Sequence, residues 1–164
     1  MNNNDINDWF DDHGLSSEVQ SQFIPPSGHW QLNIGQFPVR IQTQESANRM
    51  RIVAYITGAE GISIAEYQLM MEANSHSALD ARYAIDNGYI VSLFLHPFKE
   101  LDLVQFMLGF YQVISCAETY GRDYTGGTLF YGASQETGNA SAMEQGADSF
   151  LESLTSKIRN IRNN

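Results

Sequence analysis

Residues 79–96 read Leu-Asp-Ala-Arg-Tyr-Ala-Ile-Asp-Asn-Gly-Tyr-Ile-Val-Ser-Leu-Phe-Leu-His, and the Asn87-Gly88 pair at their centre decides how the chain folds. Asn and Gly both tolerate positive φ, which the two central residues of a type I′ turn require. The pair therefore predicts an antiparallel hairpin of Leu79–Asp86 with Tyr89–His96, stopped by Pro97, which has no N–H to give a ladder. Val91, Leu93 and Leu95 oppose Ile90 and Phe94, so both faces of the hairpin are apolar.

Outward from the hairpin the period stays at two. Met50, Ile52, Ala54 and Ile56 alternate with Arg49, Arg51, Val53 and Tyr55. Phe37, Val39 and Ile41 alternate with Arg40 and Gln42, and Trp30, Leu32 and Ile34 with His29, Gln31 and Asn33. The breaks at Gly35-Gln36 and Glu45–Asn48 are short, so these runs predict an antiparallel meander. Between meander and hairpin, Ser63 and Glu66 form a capping box with Ile62 and Tyr67 at the staple positions, which predicts a helix over 63–74. Asp102 and Gln105, stapled by Leu101 and Phe106, open a second helix over 102–120, with Gly121 as its C′ residue.

The ends are different in kind. Ile6, Trp9 and Phe10 lie among Asp5, Asp8, Asp11 and Asp12, the pattern of a short amphipathic helix stopped by Gly14. Pro25-Pro26-Ser27-Gly28 reads as a linker. Residues 121–142 are rich in Gly, Ser, Thr and Asn, and an amphipathic helix is expected near 145–161. The expected fold is α+β: an antiparallel sheet of about five strands in the order α-βββ-α-ββ-α, plus a C-terminal helix. The α+β domain is expected over 1–122, followed by the Gly/Ser-rich segment and helix of 123–164.

Composition narrows the function. The chain has 164 residues and a net charge of −10, and residues 1–120 hold 14 Asp/Glu against 5 Lys/Arg. Such a body repels phosphate backbones and anionic lipid, so neither nucleic acid nor membrane is an expected partner. No apolar run reaches the roughly 20 residues of a bilayer span, and Met1–Asp5 lacks the regions of a secretory signal. With Cys116 alone no internal disulfide forms, which suits a reducing cytoplasm.

No catalytic signature emerges. Cys116 falls inside a predicted helix with no sequence-adjacent base, so a buried structural thiol is expected. His13, His29, His76 and His96 are scattered without the spacing of a metal site. Gly132-Ala133-Ser134-Gln135 lacks the second glycine of a nucleophile elbow, and the glycine pairs lack the lysine of a phosphate loop. The expectation is a non-enzyme that needs no cofactor and no metal.

Surplus apolar surface is the stronger signal. The helix at 102–120 carries one stripe through Phe106, Phe110 and Ile114 and another through Val104, Leu108 and Tyr111. One stripe suffices to pack on a sheet, so the second is the expected homodimer interface. If Ile52, Ala54 and Ile56 face the helices, Val53 and Tyr55 face away, toward a second layer, a twin subunit or a client. Trp9, Phe10, Trp30, Leu32, Ile34, Val53 and Tyr55 are the candidate client-binding residues, because buried aromatics supply much interface energy.

The order helix, three strands, helix, hairpin, long helix resembles the class I type III secretion chaperones (the Tir-chaperone family). The likeness is clearest across Leu69–Tyr120, from Leu69-Met70-Met71-Glu72-Ala73-Asn74 through the Asn87-Gly88 turn to Leu101-Asp102-Leu103. The resemblance implies a homodimer that holds an extended segment of a protein client, such as a secreted effector, without cofactor or ATP. YbjN-type bacterial proteins resemble the same stretch and imply a regulatory or interaction role on the same fold. A small-ligand binder or enzyme using the sheet face is a third reading.

Overall fold

The Asn87-Gly88 turn takes the conformation its chemistry allows, with φ of 49° and 82°. In the computed structural model, which describes residues 1–24 and 27–127, it joins β5 (Arg82–Asp86) to β6 (Tyr89–His96). The first strand begins three residues later than its sequence predicts. Ala78–Ala81 instead closes a turn, in which the Ala81 N–H donates to the Ala78 carbonyl and Leu79 has a φ of 61°. Gln112 holds that turn by accepting from the Asp80 N–H at 2.9 Å.

The meander is present as β2 (Ser27–Ile34), β3 (Phe37–Gln44) and β4 (Arg49–Gly58), and one further strand precedes it, β1 (Gln20–Ile24). The expected count of about five is therefore six among the described residues. All pair antiparallel in the order β1-β2-β3-β4-β6-β5. The segment expected to be a linker contributes Ser27 and Gly28 to the β1–β2 ladder, opposite Ile24 and Phe23.

Register decides which side chains share a face. Trp30 pairs with Ile41, Ile41 with Ile52 and Ile52 with Phe94, so these four form one row. Val39, Ala54, Ser92 and Tyr83 form the next. This face meets α1 (Asn3–Asp12) and α3 (Leu103–Thr119). Trp9 packs edge-on to Phe106, with centroids 5.5 Å apart, and Ser92 Oγ donates to the Val113 carbonyl at 2.7 Å. α3 approaches β6 closely because position 109 is glycine: a Cβ there meets the Phe94 ring at 2.7 Å. The core is the slab between this face and the helices.

α2 (Ile64–Ser75) starts on the expected capping box and lies at the β5 edge. Asn74 explains how it attaches. Its Nδ2 donates to the Tyr83 carbonyl at 3.0 Å, and its Oδ1 accepts from the Tyr83 N–H at 2.7 Å. One side chain thus supplies both bonds that a further strand would make there, which blunts the sheet edge.

The folded unit does not end at residue 122. Tyr124 is buried, its carbonyl accepts from Ser77 Oγ at 2.6 Å, and the Gly126 N–H donates to the Ser77 carbonyl at 2.8 Å. The helix expected at 145–161 and most of the Gly/Ser-rich segment lie outside the described residues.

Candidate protein-binding surfaces

The sequence-derived client residues do not form one surface. Trp9 and Phe10 on α1, and Trp30, Leu32 and Ile34 on β2 beneath it, are all buried in the core. Trp30 is fully enclosed, and its Nε1 donates to Asn7 Oδ1 at 2.8 Å, tying β2 to α1. The physical reason is register: Trp30 shares a row with Ile41 and Ile52, so β2 turns its apolar side toward the helices. These five, expected to bind a client, are core residues here. Val53 and Tyr55 do point to the opposite face, where Val53 is buried and Tyr55 half-buried.

That opposite face lies away from all three described helices. Its central row is Gln31, Arg40, Val53, Leu93 and Arg82; the row beside it holds His29, Gln42, Arg51 and Leu95. Leu93 is half-buried and Leu95 is 60% exposed. Arg40 lies over the Tyr55 ring, 5.0 Å from its centroid, and its Nη1 donates to the Tyr55 hydroxyl at 3.2 Å. That hydroxyl donates to Asp86 Oδ2 at 2.9 Å. Burial and the adjacent Asp86 carboxylate raise the Tyr55 pKa, so the phenol stays protonated and holds the Arg40–Tyr55–Asp86 chain together.

A second apolar surface surrounds α2. Ile64 and Met71, one heptad apart, are 79% and 67% exposed, and Ile85 on β5 is 57% exposed. Met71 and Ile85 line an open cleft of ≈ 270 Å³ with Tyr67, Met70, Tyr83 and Ile90. A helix apolar on its outer as well as its inner side calls for a partner on both. Sequence periodicity on α2 carried this signal in Ile64 and Met71. On α3, Val104 is exposed while Leu108 and Tyr111 are half-buried.

Among the described residues no group of three or more His, Cys, Asp or Glu is placed to hold a metal ion. No described helix is long and apolar enough to cross a membrane. Cys116 is enclosed on α3, and burial pushes its thiol from 9.0 up to about 12. The folded state therefore favours the protonated thiol, and that contribution is complete at pH below the unfolded value of 9.0. As pH rises from there toward about 12, stability is expected to fall by up to about 1.4 kcal/mol per pH unit. Denaturant midpoints across that window should show a steeper loss for the native chain than for Cys116→Ala. Equal slopes would place the thiol in a less enclosed setting.

The described elements thus define an α+β protein built on one antiparallel sheet, with a helix-covered face and an opposite face of mixed apolar and arginine character. No family model matches the chain, and no curated protein matches it in sequence. Among solved structures, it is similar to a chain from the structure of the HopA1–SchA chaperone–effector complex, with 13% identity and a TM-score of 0.49. That match covers 70% of this chain and 91% of the other. It is also similar to a chain from the ExsC–ExsE complex, with 14% identity, a TM-score of 0.44 and coverage of 73% and 94%. The α+β assignment itself rests on the strand register and helix packing given above.

Proposed function

We propose that the chain is a non-enzymatic, chaperone-like protein that acts in the cytoplasm as a homodimer and holds an extended segment of a client protein across the open sheet face. The observation that carries this reading is the one-sidedness of the sheet. The described helices pack on one face or at the β5 edge, while half-buried Leu93 and exposed Leu95 bring apolar side chains to the other, beside the enclosed Val53 and Val91. An antiparallel sheet with one packed face normally presents polar residues on its second, so this apolar content calls for a partner. A client in extended conformation lays alternate side chains onto such a surface and is selected by them.

Client binding is tested by co-purification from the native host with Leu93→Lys/Leu95→Lys beside the parent chain. The double variant is expected to keep its fold and lose the client. Retention of the same partners by a folded variant would contradict the reading.

The homodimer is assigned first to the α2 surface around Ile64, Met71 and Ile85, and second to Val104, Leu108 and Tyr111 of α3. Sedimentation at micromolar concentration is expected to give about twice the chain mass of 18.4 kDa. Met71→Glu is expected to return it to the monomer mass; dissociation by Val104→Glu instead would move the interface to α3. A monomeric parent chain would contradict both.

A further inference from the structure

Four of the five basic residues in positions 1–120 stand on the open face: Arg40 on β3, Arg49 and Arg51 on β4, and Arg82 on β5. The acidic residues of α1 lie across the sheet from them and Asp86, the one carboxylate on the described strands, joins them beside Tyr55, so a strongly acidic chain presents one predominantly basic face. The guanidinium hydrogen bonds go to neutral groups. Arg40 donates to the Tyr55 hydroxyl, Arg51 to Gln42 Oε1 at 2.7 Å, Arg49 to the Asn48 carbonyl, and Arg82 to the carbonyls of Leu79 and Ala81. Among the described residues Arg40 Nε is enclosed without an acceptor, and so is Nε2 of His29 on the same face. Guanidinium groups form their strongest pairs with carboxylates, often through two parallel bonds. Neutral acceptors leave that capacity unused.

Resting on the protein-binding reading above, we propose that the occupant of the open face is an extended segment of another protein in which acidic and apolar side chains alternate on the side facing the sheet. The row Arg40, Val53, Leu93, Arg82 sets the spacing. Its outer members are three strand intervals apart, about 14 Å at ~4.8 Å per interval. An extended chain covers that distance in four residues at about 3.4 Å each. A carboxylate at one position therefore reaches Arg40, an apolar residue two further on meets half-buried Leu93 above the enclosed Val53, and a second carboxylate two beyond reaches Arg82. Arg51 and Leu95 extend the same pattern in the neighbouring row. A second copy docking face to face brings guanidinium against guanidinium, and nucleic acid meets a chain of net charge −10, so charge favours an acidic protein segment.

The test uses the intact 164-residue chain and three short labelled peptides with Leu at every fourth position and Asp, Asn or Lys at the alternate sheet-facing sites, read by fluorescence anisotropy. The Asp peptide is expected to bind at least about tenfold more tightly than the Asn peptide at low salt, and to lose that margin at high salt. Arg51→Gln/Arg82→Gln is expected to cut the Asp peptide's margin severalfold, leaving the share held by Arg40, and to leave the Asn peptide unchanged. If that variant does not fold, Arg51→Glu alone should bind the Lys peptide more tightly than the parent does. Equal binding of Asp and Asn peptides overturns the charge requirement while leaving the face a protein-binding site. Asp-peptide binding unaffected by the arginine variants overturns the location. Binding of no peptide, as when the chain's own residues fill the face, overturns the proposal. So does tighter binding of a single-stranded oligonucleotide.

Discussion

Trp30→Ala is expected to lose about 3–5 kcal/mol of folding stability, read as a lowered denaturant midpoint at unchanged m-value. Three effects add. The indole is fully enclosed, so its removal strips the largest buried side chain of β2 from the core. A cavity remains, because Ile41 and Gly28 flank it on backbone fixed by the β2–β3 ladder. The bond from Nε1 to Asn7 Oδ1 is lost as well, and with it the tie between β2 and α1. Trp30→Phe should recover most of the packing and leave only the smaller loss of that bond, about 0.5–1.5 kcal/mol. A loss within about 0.5 kcal/mol for the alanine variant would put the indole at the surface and undo the face assignment.

Gly109→Val is expected to cost on the order of 3 kcal/mol, although valine packs and propagates helix better than glycine. A Cβ at 109 lies 2.7–2.8 Å from three atoms of the Phe94 ring, whereas carbon contacts settle near 3.5–4.0 Å. Phe94 is buried in the middle of β6, and the helix is anchored nearby by the Ser92–Val113 bond, so neither side yields freely. The loss should be coupled to the ring. In a double-mutant cycle, Gly109→Val with Phe94→Ala is expected to cost less than the sum of the two changes, since valine then fills space the ring vacates. Strict additivity would mean that α3 does not approach β6 through this glycine.

Much of the fold was legible where local chemistry determines it. Asn87-Gly88 permits the turn between β5 and β6, and the capping boxes of Ser63 with Glu66 and Asp102 with Gln105 start two helices within a residue of the expected place. β1 was not legible, because Gln20-Ser21-Gln22-Phe23-Ile24 has no apolar alternation. Pairing along one side with β2 holds it as an edge strand. The start of β5 was misplaced for a similar reason: Leu79 has the composition of a strand residue, and the turn that holds it at positive φ is fixed by Gln112, distant in sequence.

The candidate site was half legible. Alternation at Arg49–Tyr55 separates two faces correctly but does not say which face of β2 continues which face of β4. Only the register, Trp30 to Ile41 to Ile52, places Trp30, Leu32 and Ile34 under α1, where Trp9 and Phe10 of the helix meet the same core. Arg40, Arg49 and Arg51 were visible one by one as the polar partners of each alternation. Their convergence with Arg82 was not, since Arg40, Arg51 and Arg82 come from three strands brought together by pairing through β4 and β6.

The central claim is that a client's extended segment lies on the open sheet face. It is tested most directly by placing a photo-crosslinking phenylalanine analogue at position 95, and separately at position 8 on α1, in the native host. Leu95 and Asp8 are both exposed, so each probe is accessible and neither disturbs the core. The account predicts an adduct from position 95 that maps by fragmentation to one contiguous stretch of a partner protein, and none to that stretch from position 8. Adducts to the partner from position 8 alone, or none from position 95 while the partner still co-purifies, would contradict it.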